Sequence, residues 1–283
     1  MDTATLTARY LASTQGVLAE RTRLTYRTRL SLMVRAMPEH VEQIRGDHIL
    51  RWLDTTRSAA TRNAYLSTAR VFFDWCWDRG HIASNPCRGI RKARIPGRAP
   101  RGLSAEAAAA VVATATQYGP GMARAASLMV QEGLRIGEVA AARWEDFDAV
   151  RGLLIVRGKG GRGEPTRVVP LSDQSRHALS SALLRGPIVP APGGGHWNPN
   201  RLSVHFARIV REAIGGQAGD GRTAHALRHT AATDMVDGGA TLRDVQAVLG
   251  HASIATTERY TAGAVQHLLK AIAGRWYGPK DAA

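Results

Sequence analysis

Residues 153–171 read LLIVRGKGGRGEPTRVVPL. Two β-rich runs, 153–157 and 166–170, flank a glycine-rich turn, which is the pattern of a hairpin. The periodic segments on either side are helical instead. On the N-terminal side, LSAEAAAAVVATATQ (103–117) opens on Ser104 as an N-cap, and GMARAASLMVQEG (121–133) is punctuated by Gly133. On the C-terminal side, residues 187–200 read as loop, and helices resume at 223. Gly238-Gly239 ends one of them; Thr241 with Asp244 makes the capping-box spacing that opens the next, and Gly250 closes it. One small sheet among helices makes the class α+β, mainly α.

Further out, the first ninety residues are helical throughout. TARYLAS, RTRLTYRTRLSLMVRAM, DHILRWLDTT and TRNAYLSTARVFFDWCWDRG each space apolar residues three and four apart. The last gathers Tyr65, Leu66, Val71, Phe72, Phe73, Trp75 and Trp77, and helical spacing turns most of that cluster inward as a core. Asn85-Pro86 stops the pattern. RKARIPGRAPRG (91–102) then holds five basic residues, two prolines, two glycines and no acid, so it is expected as an extended linker lying along an anionic backbone. The expected domains are 1–90, the linker 91–102, and 103–283.

At 283 residues, 44% hydrophobic and 22% charged, the chain has the composition of a soluble protein with two cores. Lys plus Arg number 38 against 23 acids, a formal net charge of +15, which favours a polyanionic partner, DNA or RNA. No basic amphipathic anchor or membrane-length apolar run stands out, and MDTATLTARYLAS lacks a signal-peptide core. Cys76 and Cys87 give neither a metal spacing nor a disulfide framework, so a reducing cytoplasm is the expected setting. Only four basic residues are lysine: Lys92, Lys159, Lys270 and Lys280.

Several polar residues sit oddly in these patterns. Arg135 follows the Gly133 break and starts a helix, where free N–H groups favour an anion. Lys159 occupies the hairpin turn. His225 and Arg228 are three apart and share a helix face, His251 follows a closing glycine, and Tyr260 comes nine residues later. His229 is read as structural. Each alone has an ordinary account as solvated surface, cap or half-buried ring. Together they answer one chemical problem. In-line attack on a phosphodiester builds charge on non-bridging oxygens, which two guanidinium forks can neutralise. A phenol of pKa roughly 10 needs a base or positive surroundings to attack, and the leaving 5′-oxygen needs a proton. Lysine can give that proton; arginine cannot.

GLRIGEVAAARWEDFD (133–148), RGKGGRGEPTRVVPL (157–171), HALRHTAAT (225–233) and LGHASIATTERYT (249–261) resemble the conserved boxes of the tyrosine recombinase, or phage integrase, family. They stand in the family's order and spacing. TRNAYLSTARVFFDWCWDRGHIASNP (61–86) resembles the end of its core-binding domain, so the resemblance covers nearly the whole chain. It implies a helical core-type DNA-binding domain and a catalytic domain with a small antiparallel sheet, closing as a clamp around DNA.

Carried over, Arg135 and Arg228 bind the scissile phosphate and Lys159 is the general acid. His225 takes or relays the tyrosine proton, His251 positions the phosphate, and Tyr260 attacks to form a 3′-phosphotyrosyl link. That link conserves the phosphodiester energy, so no cofactor or metal is expected, and no Mg²⁺-type carboxylate cluster is read in the sequence. Arg91, Lys92, Arg94, Arg98 and Arg101 are expected on DNA phosphates. The partners implied are double-stranded recombination sites, with a homotetramer on two sites, a monomer or dimer off DNA, and a possible accessory directionality factor.

The helices start close to Met1, as in compact Xer-like members without an arm-binding domain. The expected role is integration or excision of a phage or other mobile element, in bacterial cytoplasm at the nucleoid. A resolvase of chromosome or plasmid dimers is the alternative; a type IB topoisomerase shares the chemistry. Beyond Tyr260, a tail helix with an apolar stripe of Val265, Leu268, Leu269, Ile272 and Trp276 is expected to dock on its own domain or on a neighbouring protomer.

Overall fold

The computed structural model describes residues 1–95, 102–157, 167–180, 185–216 and 224–250. The chain divides into two compact units, Met1–Gly97 and Arg98–Ala283.

The first unit is built from α1 (Thr3–Ser13), α2 (Glu20–Val34), α3 (Gly46–Asp54) and α4 (Ala59–Asp78). Ser58 caps α4 by accepting from the Thr61 N–H at 3.1 Å, as its residue type favours. Leu6, Leu30, Met33, Ile49, Leu53, Leu66, Phe72 and Phe73 are fully buried between the helices. Tyr10 of α1 sets its ring edge-on to Phe72 (5.7 Å) and Trp75 (5.6 Å), and Trp52 stacks on Tyr65 at 5.0 Å. Of the α4 cluster, Val71 and Trp77 face solvent; the rest is core or packs against it. Cys76 and Cys87 are buried free thiols, which burial pushes up to about 12.

α2 differs from its neighbours. Only Leu30 and Met33 are buried; Arg21 and Arg27 are exposed, Arg23 is half-buried, and Arg29 donates from Nη1 to Ala64 O (3.3 Å) and Thr68 Oγ1 (3.1 Å) on α4. The start of the basic segment is not free of this unit. Asn63 on α4 donates from Nδ2 to the Ala93 carbonyl and accepts from the Ala93 N–H through Oδ1, each at 2.8 Å, and Arg62 donates to Arg91 O at 3.2 Å. Residues 91–93 are therefore strapped along α4, while the side chains of Arg91, Lys92 and Arg94 remain exposed.

In the second unit, β1 (Phe147–Asp148), β2 (Leu153–Val156) and β3 (Arg167–Pro170) form an antiparallel sheet in the order β1-β2-β3. The hairpin anticipated from the sequence is present, with Val156 opposite Arg167 and Leu153 opposite Pro170; the short β1 extends it. The described part of this unit also holds seven helices, α5 (Ala105–Gln117), α6 (Pro120–Val130), α7 (Ile136–Ala141), α8 (Asp173–Ala178), α9 (Pro199–Ile214), α10 (Ala224–Asp237) and α11 (Leu242–Leu249), of which α11 packs on β3. α6 runs through the core, with Ala125 to Val130 buried without a break. The sequence reading assigns no helix to either α8 or α9, although α9 buries Leu202, Phe206, Ile209 and Val210 at helical spacing. α9 starts inside the segment read as loop, with Asn198 as N-cap and Pro199 at the first helical position, where its missing N–H costs nothing.

Buried polar groups pin these helices to one another. Glu132, fully buried after α6, accepts from the Ser172 N–H (2.9 Å) and the Ser175 hydroxyl (2.7 Å) at the start of α8, where the helix end favours a negative charge. Thr230 of α10 accepts from the Leu103 N–H at 2.7 Å. No described helix is long and apolar enough to cross a membrane.

Candidate active site

Two tight helix ends create the site. After α6 the chain reverses at Gly133, whose φ of +66° suits glycine best among the residues, and the Leu134 N–H reaches back to Leu128 O at 3.1 Å. That turn delivers Arg135 as the N-cap of α7. α11 ends likewise at Gly250, in the left-handed region with φ +66°. The Gly250 N–H closes on the Gln246 and Ala247 carbonyls, which leaves those of Val248 and Leu249 to outside partners at the negative end of the helix dipole.

Three arginines answer those carbonyls. Arg228 of α10, buried, donates to Gly133 O and Leu249 O, both at 2.6 Å. Arg135 reaches Leu249 O and Gly250 O at 3.3 Å each, with 44% of its side chain exposed. Arg167, the first residue of β3, donates from Nε to Val248 O at 2.8 Å.

One carboxylate sits among the three. Glu138 on α7 accepts a two-pronged bond from Arg167 (2.8 and 3.0 Å), one from Arg135 Nη1 (2.9 Å) and one from the Arg135 N–H (2.7 Å); Arg228 lies 4.0 Å away. Burial alone would raise the Glu138 carboxyl; the bonds and charge of Arg167, then those of Arg135, outweigh it and hold the group below its ordinary value. Arg228 is brought down to about 10, first by burial and then by the charge of Arg135, so it remains a cation at neutral pH. His225 stands exposed on α10, its pKa lowered by partial burial and then by His229, Arg228 and Arg135. His229 is also exposed, its ring edge-on to His225 at 4.8 Å.

Among the described residues, three guanidiniums around a single carboxylate leave an excess of positive charge, and the most exposed of the three arginines, Arg135, opens toward solvent. That arrangement can bind an anion with planar oxygens and stabilise charge building on it. Of the residues expected from sequence, the fold brings together Arg135, His225 and Arg228. Lys159, His251 and Tyr260 lie outside the described residues, as do Arg98, Arg101 and the tail beyond 250. Two cluster members escape the sequence reading, Glu138 and Arg167. Glu138 could have been found from its position three residues after the N-cap Arg135, the capping-box spacing. Nothing local marks Arg167, whose partners lie on α7 and α11. A separate cleft of about 590 Å³, bounded by Arg143, Arg157, His196 and Trp197 among others, includes none of the expected site residues.

With this geometry in view, residues 118–267 match the model of the phage integrase family, and residues 8–80 match that of the phage integrase N-terminal SAM-like domain. The tyrosine recombinase XerC of Xanthomonas axonopodis pv. citri is 31% identical over 248 residues, covering 83% of this chain and 79% of the relative. XerC of Rhodospirillum centenum is 37% identical over 227 residues, covering 75% of this chain and 64% of the relative. Among solved structures, a lambda integrase dimer bound to a COC′ core site superposes with a TM-score of 0.76 at 22% identity, covering 89% of this chain and 96% of that one. The integrase of mycobacterium phage Brujita gives a TM-score of 0.51 at 25% identity, covering 95% and 91%.

Proposed function

The chain belongs to the phage integrase family of tyrosine recombinases, and from that membership we propose that it is a site-specific recombinase in which Tyr260 cuts double-stranded DNA and the arginine cluster holds the scissile phosphate. The observation that carries this is the convergence of Arg135 and Arg228, from two helices, on the carbonyl end of α11, immediately before His251. Tyr260 Oη attacks phosphorus, its proton passing to His225, and the bond from phosphorus to the 5′-oxygen breaks. Lys159 protonates that oxygen, leaving a 3′-phosphotyrosyl link and a free 5′-hydroxyl. Attack by the 5′-hydroxyl of the partner duplex reverses the step and releases the tyrosine. Four protomers on two sites would carry out two such exchanges, and one solved relative is a lambda integrase tetramer bound to a Holliday junction.

The first unit is proposed to hold the core site, with the exposed Arg21 and Arg27 of α2 and the exposed Arg91, Lys92 and Arg94 supplying phosphate contacts together with Arg98 and Arg101. The biological role proposed is integration or excision of a mobile element, with an accessory directionality factor as a further partner. A second reading, resolution of chromosome or plasmid dimers, is favoured by the XerC identity of the sequence relatives. The test of the chemistry starts from a randomised duplex library, from which the protein selects its core site. A nicked suicide duplex carrying that site should give an SDS-resistant protein–DNA adduct. A selected site found at the ends of an element bearing the gene supports integration; a single site in an unrelated chromosomal position supports resolution.

A further inference from the structure

Arg167 is largely buried, with 11% of its side chain exposed, and its three guanidinium nitrogens are all engaged within the protein. It has no free edge for DNA comparable with that of Arg135. What it does have is a planar fork on both oxygens of Glu138, the strongest arrangement an arginine and a carboxylate can adopt. Glu138 is itself only 9% exposed and must draw compensating charge from its neighbours. Without Arg167, the cations beside it among the described residues are Arg135 at 2.9 Å and Arg228 at 4.0 Å. Those two are the groups assigned to the scissile phosphate.

The charges then decide the consequence. Among the described residues the cluster holds three guanidiniums and one carboxylate, a formal excess of two positive charges. A phosphodiester carries one negative charge, and a second develops as the nucleophile adds. The intact cluster matches the transition state, whereas a cluster without Arg167 matches only the ground state. Interactions that strengthen on the way to the transition state are the ones that raise the rate. The close fit of Arg167 beside α11 agrees with a fixed placement: a Cβ added at Gly250 would stand 2.8 Å from Arg167 Nη1 and 2.9 Å from its Cδ.

Resting on the recombinase reading above, we propose that Arg167 is a positioning residue for DNA cleavage: by holding both oxygens of Glu138 it offsets a carboxylate that already pairs with Arg135 at 2.9 Å and that would otherwise neutralise more of Arg135 and Arg228. The experiment compares first-turnover cleavage of two suicide duplexes by the full-length protein. One carries the ordinary scissile phosphate; the other carries a methylphosphonate there, which removes one negative charge from ground and transition states alike. Arg167→Gln should slow cleavage of the ordinary duplex on the order of 10- to 100-fold. On the methylphosphonate the defect should shrink to about threefold or less. Adding Glu138→Gln to that variant should recover at least about tenfold on the ordinary duplex, because the competing carboxylate is gone.

Equal defects on the two duplexes, or no defect at all, would overturn the proposal; a failure of Glu138→Gln to recover activity would overturn the route through Glu138. Should Arg167→Gln melt below the assay temperature, Arg167→Lys keeps the charge but loses the fork. Its defect must then be small and must shrink on the methylphosphonate, and an equal defect on both duplexes again overturns the proposal. A wild-type protein that forms no adduct on the ordinary duplex contradicts the recombinase reading instead.

Discussion

Gly133 and Gly250 have the same φ, +66°, and each lets a backbone pass where a side chain cannot. A Cβ at Gly133 would meet Leu249 Cδ2 at 2.5 Å and Ala231 Cβ at 3.3 Å, so Gly133→Ala adds a clash to a strained backbone. A drop in stability of about 1–3 kcal/mol is expected, read by chemical denaturation, and Arg135 should be displaced with it. At this scale the sequence is most informative for residues whose type alone is unusual. Arg135, His225 and Arg228 stand out from their helices, and the fold gathers them. Glu138 and Arg167 look like ordinary surface charges until α7, β3 and α11 are brought together, because Arg167 binds partners 29 and 81 residues away in the chain. His225 gives a pH prediction. Acting as a base it must be neutral, and burial with neighbouring cations lowers its pKa from 6.5. Cleavage should therefore fall only as pH drops through that lowered value, placing the acid limb of the rate profile below pH 6.5. An acid limb centred above 6.5 would count against His225 as the base.

Among the elements, the hairpin and α11 matter most to the site. Arginines anchor the adjoining ends of β2 and β3. Arg157, just after β2, binds both oxygens of Asp146 (2.6 and 3.1 Å), and Arg167 at the start of β3 binds both of Glu138. The hairpin was legible because its apolar runs and glycines are local signals; the ties that orient it are not local and were invisible. α11, only eight residues long, depends on its ends. Thr241 accepts from the Asp244 N–H at 3.2 Å while the Asp244 carboxylate accepts from the Thr241 N–H at 3.0 Å, the reciprocal cap anticipated from the sequence. Thr241→Ala should cost about 1 kcal/mol, seen as a melting temperature lower by roughly 2–4 °C. Because the far end of this helix carries the carbonyls that hold three arginines, cleavage should fall more than DNA binding does. An equal fall in both would mean that α11 supports the fold without shaping the site.

At the scale of the molecule, a formal charge of +15 is distributed over two units with separate cores. The linker expected over 91–102 rests on a break in periodicity, and the attachment of its start to α4 through Asn63 was not legible, since a side-chain amide pairing with a backbone leaves no pattern in sequence. Neutralising Arg91 and Lys92, whose side chains are exposed, should weaken binding to any DNA sequence and reduce the log–log salt slope by roughly 0.9 for each phosphate no longer neutralised. A weakening confined to one sequence would mean that these residues read bases. The central claim, covalent cleavage by a tyrosine, is tested most directly by isolating the SDS-resistant adduct on a suicide duplex, digesting it, and identifying the nucleotide-bearing peptide by mass spectrometry. The prediction is a single 3′-phosphotyrosyl modification at Tyr260, with no adduct from Tyr260→Phe although that variant still binds the duplex. An adduct on another residue, or one formed at undiminished yield by Tyr260→Phe, would contradict it.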